Sequence, residues 1–544
     1  MGEPASIGDY DYIIVGAGSA GCLLANRLSA DASVSVLLLE AGGKDDHIWL
    51  KVPVGARYTQ GTPRFDWCFK SEPEPGLNGR SINIPRGRVL GGSSAINGMI
   101  YMRGQARDYD LWRQLGNTGW AWDDVLPYFK SFEDFCHGAD EWHGAGGELR
   151  IEEQRMRWPI LDAVVDAAVQ TGLPRLTNFN RGDNEGAGYA HVTQRRGVRA
   201  SASSAFLRPV MQRPNLRVVT SAQARRVTFS GRRATGVEFW QGDTISSAQA
   251  RREVILAAGA IGSPQLLQVS GVGAPALLQA QDVDVVHALS GVGRNLQDHL
   301  MLGMIFKVAN TRTLNERLRS PLDRIAMGLE YALLRTGPLS VLPAGVKVFA
   351  RSDPSRETAN IQVNVAPVSY DKLGDPPHPF PAFTAYTYNM RPTSRGHVHI
   401  TGADARVSPA LHHNYLDTFD DQRVTVDIIR AVRRIAAMPA LAQYRPEEFR
   451  PGAVCQTDED ILAYARANAT TVFHPVGTCK MGQDPLAVVD DRLRVHGVNG
   501  LRVADAAIMP AIVSGNTNAA VMMIAEKASA MILADAKTKQ RVAA

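Results

Sequence analysis

Cysteine is scarce in this chain. The five present, Cys22, Cys68, Cys136, Cys455 and Cys479, are odd in number and widely spaced, with no Cys-x-x-Cys among 544 residues. That excludes a disulfide framework and a thiolate metal knuckle, and it fits reduced thiols in a cytoplasm. Long apolar runs are missing as well. No stretch of about 18 uncharged apolar residues occurs, so a spanning helix is not expected. The start, Met1-Gly2-Glu3-Pro4, lacks the basic-then-apolar order of a secretory signal. Charge of one sign does not accumulate either. The formal charge of +5 is small for this length, and pairs such as Arg225-Arg226, Arg232-Arg233 and Arg251-Arg252 are scattered among acids. They read as solvated surface, and no nucleic-acid partner is expected. Internal repeats and low-complexity linkers are absent. What remains is an ordinary globular composition, 45% hydrophobic and 21% charged, long enough for two joined domains.

The order of apolar and polar residues supplies the architecture. Tyr12-Ile13-Ile14-Val15 reads as a buried strand, followed by a glycine-rich turn and a helical pattern from Cys22 to Ser29. A second apolar run, Val34 to Leu39, ends in Glu40. Strand, turn, helix and strand within about 30 residues form a βαβ unit on a parallel sheet. Val254 to Ala257 predicts another strand, leading through Gly259 into a helix that Ser263 would cap with Pro264 in its first turn. Leu501 to Ala504 predicts a strand near the end, and Ala519 to Leu533 a helix. Residues 301–470 hold more Pro and Thr and alternate in stretches such as His397-Val398-His399-Ile400, which predicts antiparallel sheet with helices packed on it. Between Asp420 and Met438, the positions Val424, Ile428, Val432 and Ile435 mark a one-sided helix. A nucleotide-type domain is thus interrupted by a second domain.

Gly16-Ala17-Gly18-Ser19-Ala20-Gly21 follows a strand and opens a helix. The first glycine permits the tight turn, the second lets a pyrophosphate approach the backbone, and the third lets the helix lie close to the strand. The helix N-terminus offers free N–H groups and partial positive charge to phosphates. Glu40, past the second strand, is placed to accept hydrogen bonds from a ribose diol. Together these predict dinucleotide binding, without choosing between FAD and NAD. A second glycine nest, Gly91-Gly92-Ser93-Ser94, lies downstream in the run Arg86 to Gly98. Two glycine loops suit a long ligand lying extended with a reactive ring at its far end.

That second loop also carries a family resemblance. The run from Gly87 to Asp110, through Tyr101 and Gly104, is similar to the first signature of the glucose–methanol–choline oxidoreductases. The run from Gly259 to Gly273 is similar to the second. His474-Pro475-Val476-Gly477-Thr478-Cys479 resembles the family's catalytic histidine motif, and Ser514-Gly515-Asn516-Thr517-Asn518 its second catalytic position and flavin contact. These motifs stand in the family's order and span nearly the whole chain, most like the choline-dehydrogenase-like branch.

The resemblance implies an α/β, Rossmann-like FAD-binding domain built from residues 8–155, 193–300 and 471–540. It implies an interrupting α+β substrate-binding domain on an antiparallel sheet, residues 156–192 and 301–470. By similarity, the cofactor contacts are Gly16, Gly18, Ser19, Ala20, Gly21, Glu40 and Ala41 on the first loop and strand, then Gly91, Gly92, Asn97, Gly98 and Met99 on the second loop. Asp505 and Ala506 would approach the phosphate–ribityl region. Thr517 and Asn518 would open a helix aimed at the flavin pyrimidine, with Asn518 either contacting the ring or only capping the helix. Some members tether FAD through a histidine two residues after the serine pair of the Gly-Gly loop. That position here is Ile96, so FAD held without a covalent bond is expected.

The implied reaction is oxidation of an alcohol to a carbonyl compound. The hydroxyl proton needs a base whose pKa lies near working pH, which suits a histidine, and the motif selects His474. Asn516 would hydrogen-bond the substrate oxygen as negative charge develops. A hydroxynitrile lyase, with FAD but no net redox, is the alternative. His397 and His399 lack an evident third ligand, Cys479 reads as packing, and no metal is expected. Trp67, Tyr101 and Phe473 read equally as substrate walls or as core. No carboxylate presents itself for a quaternary ammonium. The electron acceptor, a quinone or carrier or O2, stays open with the carrier preferred. So do the oligomeric state and peripheral contact with the inner membrane face.

Overall fold

The computed structural model describes residues 4–342, 345–372 and 375–543. Two large sheets organise the chain. The first has seven strands. Leu216–Val219, Val36–Leu39, Ala5–Val15 and Thr244–Leu256 pair in that order, all parallel, and Leu501–Val503 joins the far end of Thr244–Leu256, also parallel. The polar half of Thr244–Leu256 extends into an antiparallel meander with Arg233–Gln241 and Ala222–Ser230. The expected strand at 254–257 is therefore the buried end of a 13-residue strand. Its first half escapes the apolar-run test because Ser246, Ala248 and Ala250 alternate with polar residues.

Helix Ser19–Leu28 follows the first strand, and helix Gly259–Val269 follows Thr244–Leu256. The expected cap at Ser263 is wrong. The helix already starts at Gly259, and the Ser263 hydroxyl sits inside it, donating to Asp505 Oδ2 at 2.6 Å. Pro264 is likewise internal. The carbonyl of Ala260, which a proline N cannot serve, accepts instead from the Thr478 hydroxyl at 2.6 Å.

The second sheet is antiparallel. Its order is Glu447–Arg450, Leu300–Lys307, Ala382–Asn389, Ile361–Ala366, Val346–Ala350 and Gly186–Tyr189, with Thr470–Thr471 also on Leu300–Lys307. Alternation divides its faces. Leu302, Met304, Phe306, Val346, Val348, Val363, Val365, Phe383 and Ala385 pack with helices Pro159–Gln170 and Phe419–Ala436 into one core. Each fully buried aliphatic side chain there contributes about 1.5–3 kcal/mol. On the amphipathic helix Val432 and Ile435 enter this core, while Val424 and Ile428 pack with Ile361 in a smaller cluster. The other face carries Met301, Lys347, Gln362, Asn364, Tyr386 and Tyr388. Lys347, Gln362, Asn364 and Tyr388 on it are buried as well, with Met301 and Tyr386 half-buried, so these polar residues need partners or a ligand.

Candidate active site

The two glycine loops meet. Gly16 has φ +99°, and a Cβ there would fall 2.6 Å from the Ala257 carbonyl oxygen, so the turn admits only glycine. A Cβ on Gly21 would lie 1.8 Å from the Gly16 oxygen, which is how closely the helix lies on the strand. Gly91 N donates to Ala17 O at 2.8 Å. A Cβ on Gly92 would reach within 2.6 Å of Gly18 Cα, while one on Gly18 would meet only Gly92 Cα at 4.0 Å. Side chains are thus kept out of the seam between the loops, as close passage of a pyrophosphate requires. Ser19 opens the first helix, and Ala20 behind it is buried.

Glu40 is buried, with Ala41 half-buried beside it. Its carboxylate accepts from Ala17 N at 2.9 Å and Gly42 N at 2.8 Å. Burial pushes its pKa up to about 7 against those bonds. A carboxylate has about four lone-pair sites, so a ribose diol can still be accepted. Asn97 Oδ1 accepts from Met99 N and from Arg199 Nη1, and Arg199 also holds the Ser94 carbonyl. Met99 has φ +61°, an uncommon conformation for its type, and its carbonyl accepts from Thr193 N. Beside Gly98 the nearest atom to a built Cβ is Leu342 Cδ1 at 3.6 Å. The side-chain oxygens of Asp505 accept from Ala507 N, Gly259 N and Ser263 Oγ, and Ala506 follows it in a short helical turn.

The C-terminal helix begins at Asn518. The Thr517 carbonyl accepts from Val521 N, so Thr517 is the cap position. Asn518 is therefore not the cap. Its Oδ1 accepts from the Ser19 hydroxyl at 2.7 Å, tying this helix to the first glycine loop. The helix N-terminus stabilises a nearby anion by about 0.3–1 kcal/mol.

His474 stands at the centre of a buried chain of hydrogen bonds. His299 Nε2 lies 3.0 Å from the Met390 carbonyl oxygen, His299 Nδ1 lies 3.0 Å from His474 Nδ1, and His474 Nε2 lies 3.0 Å from Asn516 Nδ2. A carbonyl only accepts, so His299 Nε2 carries hydrogen and its Nδ1 is a free lone pair. His474 must then donate from Nδ1, which leaves Nε2 unprotonated and facing Asn516. The tautomers are inferred from this network, which admits one consistent assignment for two neutral rings. Burial lowers the pKa of His299 to about 4. Burial, then the neighbouring His299, Arg86 and Lys347, hold His474 well below the usual imidazole range.

Asp298 fixes the frame. Its Oδ1 accepts from His474 N at 2.8 Å and His299 N at 2.9 Å, and its Oδ2 accepts from the Tyr415 and Thr471 hydroxyls. Phe473, at φ +72°, is held by Arg86 Nη2 on its carbonyl and Thr471 Oγ1 on its N–H. On the other side Asp108 binds both Ser514 N and its hydroxyl, anchoring the turn that carries Asn516.

A family model described as GMC oxidoreductase matches residues 10–301, and its C-terminal counterpart matches residues 392–525. The chain belongs to the GMC oxidoreductase family. It is accordingly an FAD-dependent alcohol oxidoreductase. It is 40% identical over 529 residues to an oxygen-dependent choline dehydrogenase of Photobacterium profundum, covering 96% of this chain and 93% of that one. It is 42% identical over 531 residues to one from Stenotrophomonas maltophilia, covering 96% and 95%. A crystal structure of pyridoxine 4-oxidase from Mesorbium loti superposes with a TM-score of 0.87 at 32% identity, covering 96% of this chain and 99% of that one. A formate oxidase superposes at 0.91 with 24% identity, covering 99% and 100%, which concerns the fold alone.

Within this GMC enzyme the two expected catalytic residues meet, and the two glycine loops meet. Sequence reasoning missed Asp298, His299, Arg86 and Lys347. The signal for the first two was an acidic–histidine pair opening a strand. Tyr101 proves to be core, its hydroxyl accepting from Arg103 Nε. Cys479 is buried in the same core. His397 does gain a third imidazole, His412, stacked at 4.7 Å. Among the described residues, however, the His/Cys/Asp/Glu group whose ligand atoms lie within 4.8 Å is Cys136, His137 and His191.

Proposed function

We propose that this enzyme oxidises an alcohol to an aldehyde or ketone with His474 Nε2 as general base. The observation that carries the reading is the hydrogen-bond chain from the Met390 carbonyl to Asn516. It presents a neutral imidazole with its basic nitrogen outward. A substrate hydroxyl entering between His474 and Asn516 gives its proton to Nε2. The second amide hydrogen of Asn516 holds the oxygen as charge develops, and Arg86 and Lys347 add positive potential. FAD in the two glycine loops supplies the hydride acceptor. Residues 8–155, 193–300 and 471–540 carry the cofactor in this reading, and 156–192 and 301–470 the substrate. The named relatives are dehydrogenases and oxidases, which gives cyanohydrin cleavage no support. Anaerobic bleaching of the flavin by an alcohol tests the reading; a flavin untouched across aliphatic and aromatic alcohols contradicts it.

The FAD is held without a covalent bond. Ile96 has no nucleophilic atom and packs with Leu50, Phe65, Val89 and Ala95. Retention then rests on the glycine loops, Glu40 and burial.

Electrons leave to a membrane quinone or carrier, with the protein docked peripherally on an anionic surface. Among the described residues no helix is long and apolar enough to cross a membrane. Helix Pro321–Leu334 supports docking because its apolar side faces outward. Leu322, Ile325, Leu329 and Leu333 are 57–79% exposed, whereas Met327 and Tyr331 are buried. Arg319, Arg324 and Arg335 around this face are exposed. An apolar stripe edged by arginines matches an anionic headgroup layer, at about 1 kcal/mol per basic residue near the surface.

A further inference from the structure

The antiparallel sheet reaches the His474 site through Tyr388, whose ring centroid lies 6.2 Å from that of His474. It reaches it also through Gln362, whose Oε1 stands 3.8 Å from where a Cβ on Gly515 would be. From Gln362 a polar line runs on across the sheet. Gln362 Nε2 donates to Asn364 Oδ1 at 2.7 Å, and Lys347 Nζ donates to the same oxygen at 2.6 Å.

Lys347 is 3% exposed. Lysine is almost never so buried without a charge partner, yet the partner here is a neutral amide. Desolvation alone acts on its ammonium, lowering its pKa to about 7. Two of its three N–H bonds have no hydrogen-bond acceptor among the described residues. At the other end of the line, the buried Gln362 Oε1 and Asn516 Oδ1 lack donors among the described residues. The other cation near His474, Arg86, is half-buried and donates from Nε and Nη2 to the carbonyls of Pro85 and Phe473, which fixes its guanidinium beside the backbone. The oxygens of Asp298 are filled by His299, His474, Tyr415 and Thr471. Among the described residues around His474, Lys347 is therefore the fully buried cation with free donors, and the nearby carboxylate, Asp298, has no oxygen left to receive a cationic substrate.

We infer that Lys347 is the anion-recognising end of the substrate site, and that the alcohol oxidised carries a carboxylate bound at Lys347 while its hydroxyl lies between His474 and Asn516. One ammonium matches the single negative charge of a carboxylate, with its remaining N–H groups free to bind the two oxygens. A quaternary ammonium would face Lys347 and Arg86, with Asp298 already occupied by its four donors. The bound anion also lowers the cost of placing a proton on His474 beside those two cations.

This inference rests on the alcohol-oxidation reading, and the test separates the two. The holoenzyme and Lys347→Met are assayed with a dye acceptor on 4-(hydroxymethyl)benzoate, 4-methylbenzyl alcohol and choline. The wild type should prefer the acid over the neutral alcohol by about 10-fold or more in kcat/KM, the usual worth of a charge-assisted bond. Lys347→Met should raise KM for the acid by a similar factor, whereas for the neutral alcohol its effect falls on kcat, through the lost positive potential, and leaves KM unchanged within about twofold. Equal rises in KM for both alcohols, or a wild-type preference for choline, overturn the inference. Turnover of the neutral alcohol tests the oxidation reading by itself. If no alcohol reacts, benzoate titrated against the flavin spectrum still decides. A perturbation in the wild type that vanishes in Lys347→Met upholds the anion site, and none in either protein refutes it.

Discussion

Replacing His299 with phenylalanine isolates the tautomer relay. His299 does not touch the reacting atoms; it positions His474. Phenylalanine keeps an aromatic ring, slightly larger than imidazole, to stack on Tyr388, whose ring lies 4.9 Å away at 23°, but removes both ring nitrogens. His474 Nδ1–H then loses its acceptor, and nothing holds the proton off Nε2. A buried donor left without a partner costs about 1–3 kcal/mol, which corresponds to a fall in kcat of about 5- to 150-fold. The assay is anaerobic stopped-flow flavin reduction over a range of alcohol and pH. KM and flavin content should change little, because substrate and cofactor contacts remain. The fall should be uniform in pH, since a tautomer ratio does not titrate. His299→Gln, whose amide can donate to Met390 and accept from His474, should recover part of the rate. A kcat within twofold of wild type in His299→Phe, or a loss explained by lost FAD, would refute the relay.

The same pair predicts a pH effect on stability. His299 is buried neutral with a folded pKa of about 4, below the unfolded value of about 6.5, so the unfolded chain binds more protons between the two and stability falls as pH drops through that window. At 1.36 kcal/mol per pH unit, denaturant unfolding at pH 7 and pH 4 should lose about 3 kcal/mol less in His299→Phe than in wild type; equal losses would show that His299 is not held neutral. Acid precipitation should leave the yellow colour in the supernatant, and flavin remaining on the protein would mean a covalent link that Ile96 cannot make. Leu329→Asp with Leu333→Asp, both at exposed positions, should abolish flotation with phosphatidylglycerol vesicles and leave dye-linked turnover in solution unchanged; undiminished flotation would remove the docking face from the account.

Much of this arrangement was legible because its signals are local. A tight turn needs glycine at Gly16 whatever surrounds it, and the period of Val424, Ile428, Val432 and Ile435 survives without knowledge of the partner sheet. His474 and Asn516 were found by resemblance alone, since nothing within either segment says that the two side chains meet. Asp298 and His299 escaped for the same reason. Their partners lie on Thr471, Tyr415, Met390 and His474, far along the chain, and only pairing of the sheet strands brings them together. Lys347 was hidden by a different cause. Alternation in Val346-Lys347-Val348 reads as one buried and one solvated face, but this sheet is covered on both. Ser263 and Pro264 carried genuine helix-start chemistry. The rest of the chain overrode it, because Asp505 accepts the Gly259 N–H at the actual helix start and Thr478 donates to the Ala260 carbonyl that Pro264 leaves without a partner.

The central claim is that His474 takes the hydroxyl proton, and anaerobic mixing of His474→Ala holoenzyme with a saturating alcohol measures it directly. The account predicts normal FAD content and flavin reduction slowed by at least about 100-fold, the lower end of what a general base contributes. Reduction at near wild-type rate in that variant would contradict it.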